Sequence, residues 1–187
     1  MTFAYYLSLA YVAATLLTSG IGHVLGFARF RALVGSHGII PARFATLVLI
    51  IAATFEVAAG STAVAMLLNT EIAPFAPLLF AIVAALACAF ALYIRLLLRR
   101  PVGVTSCGCS PFAGPLTPMS IVPAAALLLM SALGLVVTGL GFSSSLNIGY
   151  ELLGFAIVLP LAWGISLSMV VFLLPATLLG PTAAKGS

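Results

Sequence analysis

Stretches of about 20 apolar residues, the length of helix that crosses a bilayer, make up most of this chain. They lie at roughly 4–27, 44–68, 73–97, 119–141 and 150–176. Only 5% of the residues are charged, whereas a soluble domain carries about 25%. Such a chain cannot cover a water-facing surface. The sequence therefore predicts an all-α integral membrane protein, a four-helix transmembrane bundle with a fifth transmembrane helix added.

The last apolar stretch differs from the others in its length. From Glu151 to Gly180 a continuous helix would measure about 45 Å, more than the roughly 30 Å of the hydrocarbon core. Pro160 is expected to kink this helix. We therefore expect a single tilted helix, and a division of the chain into a four-helix membrane domain, 1–141, and an extra helix with a short tail, 142–187.

The cations are distributed over alternate connecting segments. Arg29, Arg31 and Arg43 follow the first span, Arg95, Arg99 and Arg100 mark the third connection, and Lys185 is in the tail. The second and fourth connections carry none. By the positive-inside rule, the N-terminus lies outside, the C-terminus lies in the cytoplasm, and the segment 101–118 is on the cytoplasmic side. Cations spread in this way do not indicate a nucleic-acid partner.

The uncharged segment 101–118 holds two cysteines, Cys107 and Cys109, with only Gly108 between them. A disulfide needs Cα atoms about 4.4–6.8 Å apart, and Gly108 favours the bend that brings the two together. A ring this short is expected to be strained, and strained disulfides exchange readily. The alternative is two small, unpaired and inert residues at a turn.

A metal site is the other chemical interpretation of these cysteines. Zinc normally takes four ligands in patterned pairs, and adding His23 and His37 to the two thiols does not produce that pattern. No metal is expected.

Glu56 falls near the middle of the second span, where an acid is costly and usually functional. Ala52, Ala53, Ala59, Gly60 and Ala63 flank it at helical spacing. Small residues of this kind suit close contact between helices, so Glu56 is expected to point into the bundle. The alternative is a neutral glutamic acid that only hydrogen-bonds a neighbouring helix.

Two further residues in the spans are candidates for chemistry. His23 lies near the inner end of the first span, between Gly22 and Gly26, and histidine can change its protonation near neutral pH. The alternative is a histidine that only makes a hydrogen bond at the membrane interface. Cys88 lies in the third span among alanines. It is a third thiol by position, but a small packing residue is the interpretation that we favour.

Three stretches together resemble a known family. They are "SGIGHVLGFARFRALVGSHGIIP" at the end of the first span, "FEVAAG" in the second span, and "CGC" after the third. Over roughly residues 7–140 the chain resembles the MauE/DoxX-like family of bacterial membrane proteins, and the methylamine utilisation MauE branch in particular.

The resemblance implies a four-helix bundle in the bacterial plasma membrane, thiol redox chemistry and a thioredoxin-like or other thiol partner. In the MauE branch that chemistry concerns the maturation of methylamine dehydrogenase. Matched by position, Cys107 and Cys109 take the place of the redox pair, and Glu56 with Gly60 takes the motif of the second span.

The sequence thus predicts a multi-pass membrane thiol–disulfide redox protein that supports disulfide formation or maturation of a partner. The predicted catalytic residues are Cys107, Cys109 and Glu56, and the supporting residues are His23, Gly60 and Gly108. The alternatives are a non-catalytic membrane assembly factor and a small proton-coupled transporter that uses Glu56. The cofactor stays open, with a membrane quinone as one candidate. The working side of the cysteine segment is also open, because disulfides of exported proteins form outside while the arginines place this segment inside.

Overall fold

The computed structural model describes residues 2–99 and 118–140. In these ranges the chain forms helices and no strand. The α-helices are α1 (Thr2–Leu25), α2 (Phe27–Ser36), α3 (Ala42–Leu68), α4 (Ala76–Leu98) and α5 (Val122–Gly139). Short 3-10 helices, Thr70–Phe75 and Pro118–Ile121, precede α4 and α5. The cysteine pair with Gly108, and the whole of the predicted fifth span, lie outside the described residues.

Four of the described segments are long and apolar enough to cross a membrane: Phe3–Leu25, Ala42–Leu68, Glu71–Leu98 and Pro118–Gly139. They agree with the first four predicted spans to within a few residues. This part of the chain is therefore an all-helical, multi-pass membrane protein.

The helix α2 is a difference from the sequence analysis, which treated the residues after the first span as a connecting loop. Helix formers in "FARFRALVGS" continue the helical structure beyond a bend at Gly26. Phe30 is buried against the bundle, while Arg29 and Arg31 are exposed. The helical structure then stops before Gly38, whose φ of 64° suits a residue without a Cβ.

The helices pack around α1. This helix lies antiparallel to α3, since Gly20 lies beside Val57 and Gly60 beside Leu17. It also contacts α5, while α4 packs against α5. Within the protein, 61% of the first span is buried, against 33%, 28% and 33% of the other three. The outer helices turn large apolar side chains outward, among them Phe55, Leu129 and Leu92. The polar residues of α1 are therefore held inside the bundle.

Two glycines set the distance between α1 and α3. A Cβ on Gly20 would lie 2.8 Å from Val57 Cγ2, and a Cβ on Gly60 would lie 2.8 Å from Leu17 Cγ. The absence of side chains at these positions lets the two backbones approach closely. This approach brings Glu56 of α3 within hydrogen-bonding reach of α1.

Candidate functional site

Glu56 is at the middle of α3 and is fully buried, with 0% of its surface exposed. The small residues beside it on the helix, Ala53, Ala59 and Gly60, are also buried. This is the side of α3 that faces α1, so the carboxyl group points into the bundle.

Two side chains of α1 bind this carboxyl group. Ser19 Oγ donates a hydrogen bond to Glu56 Oε1 at 3.0 Å, and His23 Nδ1 lies 2.8 Å from Glu56 Oε2. Ser19 and His23 are one helical turn apart, which places them on neighbouring positions of one face. Each oxygen of the carboxyl group therefore has its own partner on α1.

The contact between His23 and Glu56 allows a proton to be held in either of two places. When the carboxyl group is ionised, His23 Nδ1–H donates to Oε2. When it is protonated, the Oε2–H donates to Nδ1 of the imidazole. Moving between these arrangements requires only a proton shift along a 2.8 Å hydrogen bond. The pair is thus suited to accept and return a proton inside the membrane.

The imidazole ring of His23 is also fixed by α2. The Phe30 ring lies edge-on to it, with the ring centroids 4.8 Å apart and the planes at 89°. Phe30 itself is only 2% exposed. The helix that follows the bend at Gly26 therefore helps to hold His23 against Glu56.

The position of His23 agrees with the sequence analysis, and its contact with the middle of α3 has a structural reason. The residue lies two positions before the end of α1 at Leu25, as expected, yet it contacts the middle of α3. The reason is that α3 begins 14 residues before Glu56, at Ala42, and so runs about 21 Å beyond this contact. The helix α2 packs along that extension.

A second polar contact joins the start of α3 to α4. His37 Nδ1 lies 2.6 Å from the Tyr93 hydroxyl, and His37 is 3% exposed. The sequence analysis considered His37 only as a metal ligand. Among the described residues no group of three or more His, Cys, Asp or Glu could hold a metal ion.

The remaining predicted residues do not join this cluster. Cys88 is exposed on the outside of α4, so the expectation that it packs among alanines was wrong. The neighbouring Ala87 occupies the buried position instead. Cys107, Gly108 and Cys109 lie outside the described residues.

An apolar groove lies on the outer side of α3 beside this cluster. It encloses about 600 Å³ and is lined by Val24, Phe27, Ile50, Ala53, Thr54, Val57 and Ala58. Thr54 is the one hydroxyl in this lining. The groove therefore suits an apolar chain and offers little to a polar head group such as that of a quinone.

Ser19 is the site residue that sequence reasoning missed. A signal for it was present, since Ser19 precedes His23 by one turn and Gly20 stands beside it in the sequence. A lone serine in an apolar helix usually bonds its own backbone, so only the position of α3 assigns Ser19 to Glu56.

The comparisons with known proteins identify a family. The model of the family described as "Methylamine utilisation protein MauE" matches residues 1–138. No curated protein and no solved structure matches the chain. The matched range contains the described bundle together with Ser19, His23 and Glu56.

Proposed function

Since the chain belongs to the MauE family, we propose that this membrane protein is a thiol–disulfide redox protein that works through Cys107 and Cys109. The observation that carries the proposal is the buried Ser19–Glu56–His23 cluster at the middle of α3. An acid at this depth is costly and is normally kept for function. Thiol exchange requires protons to be taken up and released, and this pair is suited to both.

The exchange itself needs only the cysteine pair and a partner dithiol. A thiolate of the partner attacks the Cys107–Cys109 disulfide, forms a mixed disulfide and releases the other cysteine as a thiolate. The second partner thiolate then attacks the mixed disulfide. The partner gains a disulfide and loses two electrons and two protons, and the two cysteines gain them. We assign to Gly108 the bend that brings the two cysteines together. We assign to Glu56 and His23 the supply and removal of the protons.

The partner would be a thioredoxin-like or other thiol protein. The family description names methylamine utilisation, and the resemblance to the MauE branch suggests methylamine dehydrogenase as the client. We place the protein in the bacterial plasma membrane, with the N-terminus outside and the cysteine segment on the cytoplasmic side, because the arginines of α2 and of the end of α4 lie at that end.

The test is thiol trapping in native membranes. A maleimide mass tag is applied before and after reduction to wild type, Cys107→Ser and Cys109→Ser, with Cys88→Ser as the background that removes the third thiol. We expect a reducible Cys107–Cys109 bond in the wild type and a covalent partner trapped by one serine variant. If both thiols stay reduced under every condition and neither variant traps a partner, the redox function is wrong.

A proton-coupled transporter is the second candidate, favoured by the same Glu56–His23 contact. It predicts that Glu56→Gln abolishes function while Cys107→Ser and Cys109→Ser remain active. An assembly factor without catalysis predicts that all three variants complement a deletion strain, and that only substitutions on packed faces, such as Gly60→Leu, fail.

A further inference from the structure

Four buried hydroxyl groups on α1 have no hydrogen-bond partner on another helix among the described residues. They belong to Tyr5, Tyr6, Tyr11 and Thr15, none of which is more than 5% exposed. Buried polar groups nearly always have a partner, either protein or ordered water. Other buried hydroxyls obey this rule through their own helix, as Thr138 does by donating to the Gly134 carbonyl at 2.8 Å. Tyr11 and Thr15 lie close enough to share one hydrogen bond, and the hydrogen-bonding capacity that this row has left suits a small polar partner such as water.

These hydroxyls continue the cluster around Glu56. Tyr11, Thr15, Ser19 and His23 recur every four residues, so each is a neighbour of the next on the helix surface. The row extends about 18 Å along α1. At one end Ser19 and His23 bind Glu56. The other end of the row is Tyr11. Tyr5 and Tyr6 lie between Tyr11 and the first residues of the helix.

The row runs away from the end of the bundle at which α4 ends. Since α1 is antiparallel to α3, and α4 returns along α3 to bring Tyr93 to His37, α1 and α4 end on the same side. The chain enters the segment with Cys107 and Cys109 directly after α4. The hydroxyls of Tyr11 and Thr15 thus lie on the opposite side of Glu56 from the end of α4.

We propose that Tyr11, Thr15 and Ser19 hold a file of internal water that carries protons between the Glu56–His23 pair and the end of the bundle where α1 begins. A water bound by two to four polar groups is stable inside a protein. A hydroxyl can accept one hydrogen bond and donate another, so a proton that enters the file displaces one at its other end. The Glu56 carboxylate gains the proton that the aqueous phase loses. The hydroxyls and waters of the file hold the same number of protons before and after the transfer.

The file can be observed at His23, because the chain has two histidines. Protein labelled with ¹⁵N-histidine is placed in liposomes, and the His37→Asn variant assigns the remaining ring signal to His23. Solid-state NMR then measures magnetisation transfer from water to the His23 ring and the exchange of its N–H for deuterium. We expect both in the wild type.

Two nearly isosteric variants break the file. In Tyr11→Phe and in Thr15→Val the exchange at His23 should be about tenfold slower, the ratio expected when one hydrogen bond of ordinary strength is lost. Thr138→Val is the matched control, since Thr138 is also buried but bonds its own helix, and its exchange rate should equal that of the wild type. If Tyr11→Phe does not fold, the exchange rate at His23 in Thr15→Val alone tests the proposal.

Three results would overturn the proposal. They are the absence of water transfer to His23, equal exchange rates in Thr15→Val and wild type, and transfer from lipid protons in place of water. The inference extends the proton role that the proposed function gives to Glu56, but the measurement involves no cysteine. Its failure is therefore distinct from a failure of the thiol-trapping experiment.

Discussion

At the scale of single residues, the free-energy cost of burying the Glu56 carboxylate in the membrane explains why it needs both of its partners. A charged side chain at the centre of a transmembrane helix costs about 2.5–3.5 kcal/mol. A hydrogen bond to a charged group contributes about 1.5–3 kcal/mol. One such bond offsets only part of the cost, whereas the bonds from Ser19 and His23 together offset it. The site is therefore expected to be sensitive to the loss of either partner.

Removal of the Ser19 hydroxyl tests this balance. Ser19→Ala should lower the free energy of unfolding by about 1.5–3 kcal/mol, because it leaves Oε1 of Glu56 without a donor. The measurement is reversible unfolding in detergent micelles as sodium dodecyl sulfate is added. Ser131→Ala is the control, because Ser131 is equally buried but bonds the Leu127 carbonyl of its own helix. Equal effects of the two substitutions would contradict the role given to Ser19.

His23 should tolerate one substitution and not another. The side-chain amide of asparagine places a donor near the position of Nδ1, so His23→Asn should keep the contact with Glu56 and lose about 1 kcal/mol or less. His23→Ala leaves a buried charge without its partner and should cost about 3–5 kcal/mol. The same unfolding assay decides, and equal losses in both variants would show that the Glu56–His23 contact contributes little to stability.

At the scale of helices, the close packing of α1 on α3 is what forms the site. An added methyl group at Gly20 or Gly60 would meet not only flexible side chains but also backbone nitrogen atoms, each at 3.1 Å. Relief of these contacts requires the helices to separate. That separation would lengthen the contact between His23 and Glu56, which bridges the same interface.

Substitution of these glycines should therefore affect both stability and the site. Gly20→Ala and Gly60→Ala are each expected to destabilise the protein by about 1–3 kcal/mol, the usual cost of overpacking. Gly139→Ala is the control, because nothing lies within 4 Å of a Cβ at that position, and it should be neutral or slightly stabilising. A neutral Gly60→Ala would contradict the close approach of α1 and α3.

The helices also show how far the sequence could predict this molecule. The four described spans and the inward direction of Glu56 were predictable, because apolar length and a face of small residues are local properties. The helix α2 was not predicted, since its arginines resembled a loop that marks topology. Ser19 and the depth of His23 could not be predicted, because they depend on the register of α1 against α3. Cys88 was misplaced because an alanine-rich helix does not specify which small residue faces inward.

At the scale of the whole molecule, the arrangement of the four described spans determines which segments share a side of the membrane. The connection after α2 and the end of α4 lie at one end of the bundle, and the connection between α3 and α4 lies at the other. The exposed arginines Arg29, Arg31 and Arg99 are at the first of these ends. We therefore expect that end to face the cytoplasm.

Labelling of single cysteines tests this orientation. In a background without the native cysteines, Ser36→Cys and Asn69→Cys introduce thiols at exposed positions of the two ends. An impermeant maleimide added to intact cells should label Asn69→Cys only, and should label Ser36→Cys after the membrane is opened. The reverse pattern would place the cysteine segment outside the cell.

The central claim of this account is that the Glu56–His23 pair handles the protons of the Cys107–Cys109 chemistry. The most direct measurement is the rate at which an added thioredoxin-like dithiol reduces the Cys107–Cys109 disulfide in native membranes, followed by maleimide tagging. Glu56→Gln and His23→Asn should slow this rate by about a hundredfold or more, the usual range for loss of a proton-transferring group. Ser131→Ala should leave it unchanged. Reduction of the disulfide at the wild-type rate in Glu56→Gln would contradict the account.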